Sequence, residues 1–311
     1  PLYDETHVRE VMKHFACYSY NDRIEILPDV HVTFQDAGHV LGSAIVVVDY
    51  KEDGAERRLI FSGDLGRKNM PLLEDPWIPD DAQTVILEST YGDREHDPIE
   101  AMEGGLAEVI LRTIRRGGKI IIPSFALERA QEVVFALKRL EMNGVIPELP
   151  VYVDSPLTVN ITEIFRYHTE LFDDETDQVI DRAGDPFELK NIEYIRNVDD
   201  SMRLNTLKEP CIIISASGMC EFGRILHHLR NNCEDPRNTI LIVGFMAENT
   251  LGRRIIERRP EIKIFGVKRQ LRAEVVVMNS FSAHAGRSEL VEFGERFKGD
   301  GRRVLLVHGE E

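Results

Sequence analysis

GKIIIPSFALERAQEVVFALKRL, residues 118–140, changes its period half-way along. The first part, GKIIIPS, is a short β-branched run closed by Pro and Ser, which reads as a strand. The second part, ALERAQEVVFALKRL, spaces its apolar residues by three and four, which reads as a helix. A strand without polar alternation needs cover on both faces. The same alternation continues through much of the chain. Strands are predicted at TVILEST (84–90), LPVYVDS (149–155), PCIIISASG (210–218), NTILIVG (238–244), IKIFGV (262–267), EVVVMNS (274–280) and RRVLLVHG (302–309). Helices are predicted at LTVNITEIFRYHTEL (157–171), FGRILHHLRNN (222–232) and RSELVEFGERF (287–297). The pattern predicts an α/β fold on a mostly parallel sheet. Upstream, HVTFQDA (31–37), AIVVVDY (44–50) and RRLIFSGD (57–64) are joined by short turns such as KEDG (51–54), which suits antiparallel pairing.

Composition narrows the class. With 42% hydrophobic and 30% charged residues, the 311-residue chain can bury a real core, and at about 150 residues per domain it suggests two domains. No apolar run approaches the roughly 20 residues of a membrane span, and the first residues, PLYDETHVREV, do not read as a signal peptide. The four cysteines, Cys17, Cys211, Cys220 and Cys233, lack C-x-x-C spacing; reduced thiols and a cytoplasmic location are expected. A net charge of −16 argues against nucleic-acid binding by bulk positive charge. A local basic cleft is still open to it. Arg253, Arg254, Arg258 and Arg259 cluster in GRRIIERRP, and Lys268, Arg269 and Arg272 in KRQLR, though such runs also suit a solvated helix face.

Chemistry-bearing residues stand where the strands stop. His39 lies in a Gly-flanked turn of QDAGHVLGSA, Asp64 follows the strand in LIFSGDLGR, and Glu88 ends the strand in TVILESTYGDR. His284 follows a strand in NSFSAHAG, and His308 ends another in VLLVHGEE. Side chains at strand ends can converge on one crevice. Imidazole and carboxylate together suit Zn²⁺, with Mn²⁺ the alternative where oxygen ligands dominate.

The ordered set DAGHVLGSA, FSGDLGR, ESTYGDR, SASGM, AENTLGRR, FSAHAG and VHGE resembles the motifs of the β-CASP branch of the metallo-β-lactamase superfamily, which holds RNA-processing ribonucleases and the cleavage-and-polyadenylation endonuclease. The resemblance implies a metallo-β-lactamase αββα sandwich, incomplete at its N-terminus, over 1–92 and 282–311, with an inserted β-CASP α/β domain over 93–281. It implies a zinc-dependent ribonuclease that hydrolyses single-stranded RNA in an interdomain cleft by attack of metal-bound hydroxide, with two zinc ions in the complete protein. Residue by residue, His39 and His308 match ligands of the two zincs and Asp64 the carboxylate that bridges them. His284 matches a general acid and Glu88 its orienting partner. Ser215, Ala216, Ser217 and Gly218 match a phosphate-holding turn, and Arg129 and Arg253 match basic substrate-binding positions. Homodimerisation follows the family's habit, and neither a membrane nor a nucleotide cofactor is expected.

Three departures qualify the match. Glu128 stands where the family commonly has Gly, which sets a surface Arg129–Glu128 pair against a phosphate role for Arg129. Gly286 stands where FSAHAD is the commoner pattern, leaving out a carboxylate behind the ligands. The H-x-H-x-D-H cluster does not occur in the sequence; the expectation is that it lies upstream of Pro1 or is supplied by another chain. The competing readings are a non-catalytic RNA-binding or scaffold member of the same fold and a small-molecule metallohydrolase. Neither G-x-x-x-x-G-K-[ST] nor G-x-G-x-x-G is present, which disfavours a nucleotide-binding enzyme.

Overall fold

A computed structural model describes residues 2–309 except 298 and 300. The chain opens with helix α1 (Glu5–Met12) and continues through strands β1 (Arg23–Leu27), β2 (Val30–Asp36), β3 (Ala44–Glu52), β4 (Ala55–Phe61) and β5 (Thr84–Glu88). Helices and strands then alternate: α2 (Glu100–Arg115), β6 (Ile120–Pro123), α3 (Arg129–Met142), β7 (Val151–Val153), α4 (Pro156–Tyr167), α5 (Asp174–Ala183), β8 (Ile192–Tyr194), α6 (Val198–Leu204), β9 (Ile212–Ser215), α7 (Ile225–Asn232), β10 (Thr239–Ile242) and α8 (Leu251–Ile256). A hairpin of β11 (Glu261–Ile264) and β12 (Val267–Gln270) leads to β13 (Glu274–Val277), α9 (Arg287–Glu295) and β14 (Arg303–Val307). Among the described residues no helix is long and apolar enough to cross a membrane. The fold is the mixed α/β class expected from the sequence.

The first sheet runs β1-β2-β3-β4-β5-β14. Its β1 to β4 are antiparallel, as the short turns predicted, and β5 is parallel to both β4 and β14. Pairing of β14 with β5 runs from Arg303↔Thr84 to Val307↔Glu88. That register sets His308 beside the residues that follow Glu88. Ile45, Val47, Ile60, Val85 and Leu87 of this sheet pack with Leu290 and Phe293 of α9.

The second sheet is wholly parallel, in the order β13-β10-β6-β9-β7-β8. Every residue of β6, β9 and β10 is buried, because these strands carry helices on both faces. Ile120 and Ile122 pack on one side with α2 and α3 residues such as Leu106, Val133 and Phe135. Ile121 packs on the other with Ile225, Leu229 and Ile255 of α7 and α8. The chain returns to both sides of β6, so the carboxyl ends of β6, β9 and β10 border one crevice. Strands β1, β8 and β12 are additions to the sequence reading. β8 is short and β12 mostly polar, so pairing with a neighbour rather than their own pattern makes them strands, whereas RIEIL of β1 does alternate.

Candidate active site

Glycine lets three loops interlock at the carboxyl end of the first sheet. The loop after β4 threads between the His39 and His284 loops: Gly66 N donates to Ala37 O (2.8 Å), Arg67 N to Ala283 O (3.0 Å), and Ala285 N to Leu65 O (2.7 Å). A Cβ on Gly66 would fall 1.9 Å from the carbonyl oxygen of Gly38. Gly38 itself has φ +61°, and a Cβ there would fall 2.6 Å from Pro76 N. Only a residue without Cβ fits either place. The glycines of DAGH and SGDLG are therefore what allow His39 and Asp64 to meet.

Asp64 lies between two histidines. Its Oδ2 is 3.9 Å from His39 Nε2 and its Oδ1 is 3.2 Å from His308 Nδ1. Donor atoms of His39, Asp64 and His284 all lie within 4.8 Å of one another. The His39 and His284 rings are 4.3 Å apart, and His308 is 6.2 Å from His284. Burial, reinforced by the neighbouring His284, lowers the His39 pKa to about 4. A neutral imidazole is the form a metal binds. Two imidazoles sharing one carboxylate, with an oxygen turned toward each, are a donor set that fits a divalent cation such as zinc.

Glu88 is buried beneath this cluster. Its Oε1 is 3.1 Å from His284 Nδ1 and accepts from Leu65 N at 2.8 Å; its Oε2 accepts from Thr90 N at 3.1 Å. Burial opposes its ionisation most strongly, but contact with His284 and the bonds from Thr90 and Leu65 outweigh it, so its pKa is lowered. A buried carboxylate kept charged against one imidazole nitrogen fixes that ring's orientation. Thr90 Oγ1 lies 3.2 Å from His308 Nδ1, so the strand-end residues after β5 touch both histidines.

Residues 130–255 match the family model of the Beta-Casp domain, and residues 268–311 that of the Zn-dependent metallo-hydrolase RNA specificity domain. A ribonuclease of Thermus thermophilus is 36% identical over 311 residues, covering 100% of this chain and 70% of that protein. The chain belongs to the β-CASP family of RNA-processing nucleases, within the metallo-β-lactamase superfamily. An RNase J-like protein of Methanocaldococcus jannaschii is 31% identical, over 99% of this chain and 70% of its own length. The transcription termination factor FttA of Methanothermobacter thermautotrophicus is 35% identical, over 98% of this chain but 49% of its own length.

The β-CASP portion supplies the other wall of the cleft. Arg129 is buried, and its guanidinium bonds to the buried Glu132 rather than to Glu128, which is buried as well. The alternative of a surface Arg129–Glu128 pair is therefore not what forms: the helical i,i+3 spacing brings Glu132 to the guanidinium, while the Glu128 carboxylate is turned to Leu41 N. Glu128 has φ +65° and its Oε2 accepts from Leu41 N at 2.9 Å, tying α3 to the His39 loop. A left-handed residue there explains why glycine suits the position.

In SASGM, the backbone N–H groups of Ser217 and Cys220 bond within the turn, and those of Glu221 and Phe222 to Ser217 Oγ. Ser215 Oγ donates to Asp154 O. Arg253 lines the cleft but also bonds to Glu257, and Arg259, Lys268 and Arg269 pair with Glu257, Glu261 and Glu234. Those four cations are thus matched by acids, whereas Arg254 and Arg258 donate to the carbonyl oxygens of Asn249 and Val275. At Gly286, a Cβ would meet Glu95 Oε2 at 3.2 Å, and Glu289 Oε2 accepts Gly286 N, so carboxylates from elsewhere already occupy that space.

Sequence reading missed Asp154. Fully buried at the end of β7, it meets His228 Nε2 (2.6 Å), Ser201 Oγ (2.6 Å) and Arg224 Nη1 (2.7 Å). The strand-end signal that singled out Asp64 is present in LPVYVDS as well. His96, half-buried against Tyr91, was missed too; burial and the nearby Arg67 lower its pKa to about 4, and nothing in DREHD announces it.

Proposed function

We propose that the chain carries the cleaving centre of a β-CASP ribonuclease, hydrolysing phosphodiester bonds of single-stranded RNA between the two sheets. One contact supports this most directly: buried Glu88 held 3.1 Å from His284 Nδ1, beside the donors of His39 and Asp64. The names ribonuclease and RNase J-like on relatives that this chain matches over most of their length support RNA as the substrate. In this reading 1–92 and 282–311 form the metallo-β-lactamase domain and 93–281 the β-CASP domain.

His39, Asp64 and His308 would hold zinc, which supplies Lewis acidity toward phosphate and water. These three residues are few for two ions, so an H-x-H-x-D-H segment is expected to complete the pair. With His284 Nδ1 turned to Glu88, Nε2 is left to face the cleft. Glu88 stabilises the protonated ring, and Nε2 then delivers a proton to the leaving oxygen. A second reading makes His284 a metal ligand, and its donor atom within 4.8 Å of those of His39 and Asp64 favours it.

Cleavage of labelled RNA by the full-length protein, with and without chelator, tests the reading. Activity that survives removal of the metal would overturn it. His284→Ala should slow cleavage about 10²–10⁴-fold, the range for a lost general acid, with zinc content unchanged. Zinc lost in that variant would establish the ligand reading instead.

A further inference from the structure

An aromatic ring stands uncovered at the carboxyl end of the second sheet, where packing would ordinarily hide it. Strand β6 lies between β9 and β10, and the chain leaves it through Ser124 into Phe125. Beyond β9 and β10 the flanking chains carry Gly218 and Gly244. A Cβ on Gly218 would fall 2.8 Å from the Phe125 ring, and one on Gly244 would fall 3.8 Å from it. The flanking backbones therefore brace the ring without a side chain that could roof it. Phe125 is 42% exposed, and Phe245, next to Gly244, is 45% exposed.

Both rings line a cavity of about 270 Å³ whose wall includes His39 and His284. A second cavity, of about 160 Å³, shares Tyr91, Gly244, Phe245 and Ser282 with the first and reaches Arg253. Phe245 thus stands at the partition between two chambers, one at the histidines and one at an arginine. A flat apolar ring offers nothing to a phosphate, which takes N–H donors and positive charge. It does suit the face of a nucleobase, whose stacking on aromatic rings is a main source of single-strand affinity.

We propose that Phe125 is the stacking platform for the nucleobase adjoining the scissile phosphate, with Phe245 separating that base from its neighbour. The proposal rests on the ribonuclease reading for the identity of the ligand. Because every base has a π face, the platform grips RNA without selecting a sequence at that nucleotide.

The test uses the full-length protein and a single-stranded oligoribonucleotide carrying one 2-aminopurine, moved along the strand. Binding is followed by stopped-flow fluorescence before turnover, and steady-state cleavage gives KM and kcat. At one position the fluorophore should be quenched on binding. Phe125→Leu, apolar but without a ring, should abolish that quenching and weaken binding about 5- to 150-fold, the range one stacked base supplies. KM should rise more than kcat falls. Phe125→Trp should restore both signals. An abasic nucleotide at that position should weaken binding to the wild type by the same factor and to Phe125→Leu no further. Quenching and KM unchanged in Phe125→Leu, or an abasic penalty equal in both proteins, overturns the proposal while leaving cleavage intact. RNA bound and quenched without any metal-dependent cleavage would instead sink the ribonuclease reading and leave the platform standing.

Discussion

Two apolar strands, β9 and β14, have opposite fates. Each residue of IIIS in β9 is buried, whereas each residue of RVLLV in β14 is exposed. β9 has neighbours on both edges and helices on both faces; β14 ends its sheet. The contrast extends to the two sheets. Candidate catalytic groups come mostly from the less covered first sheet: His39, Asp64, Glu88 and His308 all stand at its loops or strand ends. The closed second sheet contributes a stiff wall and delivers His284 from the chain beyond β13. Groups that must reach solvent and substrate sit where cover is thin, and the wall that orients them sits where packing is complete.

The comparison breaks most readily at Asp154, in the closed half. Asp154→Ala leaves Arg224 and His228 without their buried carboxylate and should cost about 3–5 kcal/mol in denaturant unfolding. Although burial opposes ionisation of Asp154, its bonds from His228, Ser201 and Arg224 lower its pKa below the ordinary 3.8. An acid with a depressed folded pKa stabilises above its unfolded value. Its contribution is present above about pH 4 and disappears as pH falls through the lower folded value. Asp154→Asn should flatten stability over that acid range; an unchanged acid limb would deny Asp154 its place in the closed half.

A matched pair of truncations sharpens the contrast. Ile213→Ala in β9 should cost about 2–5 kcal/mol by emptying packed volume, and Leu306→Ala in β14 less than about 0.5 kcal/mol. Equal losses in urea unfolding would erase the difference between the sheets.

The smallest effect belongs to the junction. Burial, with repulsion from Glu132, raises the Glu128 pKa well above 4.5. A raised acid favours folding below its unfolded pKa and loses that contribution as pH climbs toward the folded value. Glu128→Gln keeps an oxygen for Leu41 N and removes the charge, so it should stabilise at neutral pH and flatten stability above about pH 4.5. Destabilisation at pH 7, read from thermal unfolding, would show that the carboxylate is needed ionised there.

Legibility from sequence varied with how local the cause was. GKIIIPS and PCIIISASG announced buried parallel strands because their runs carry the β-branched signal themselves. RRVLLVHG carried the same signal and proved exposed, because apolar content marks a strand without saying what lies over it. The five corner residues were readable from their places at strand ends. Asp154 carried the same mark and was overlooked, and for Arg129 only the adjacent Glu128 was weighed as an acidic partner, although the helix brings Glu132 to it.

The order of the apolar strands and of α3, α4, α7 and α9, the antiparallel start and the places of the corner residues are properties of sequence alone. They depend on periods of two and 3.6 residues and on turn chemistry, which act within a few residues. That His284 meets Glu88 across 196 residues was decided by tertiary structure, as were the sharing of Asp64 by two histidines and the glycine-braced exposure of Phe125. Those contacts depend on the path of the whole chain: which strands become neighbours, and where one loop lacks the Cβ that would hold another away.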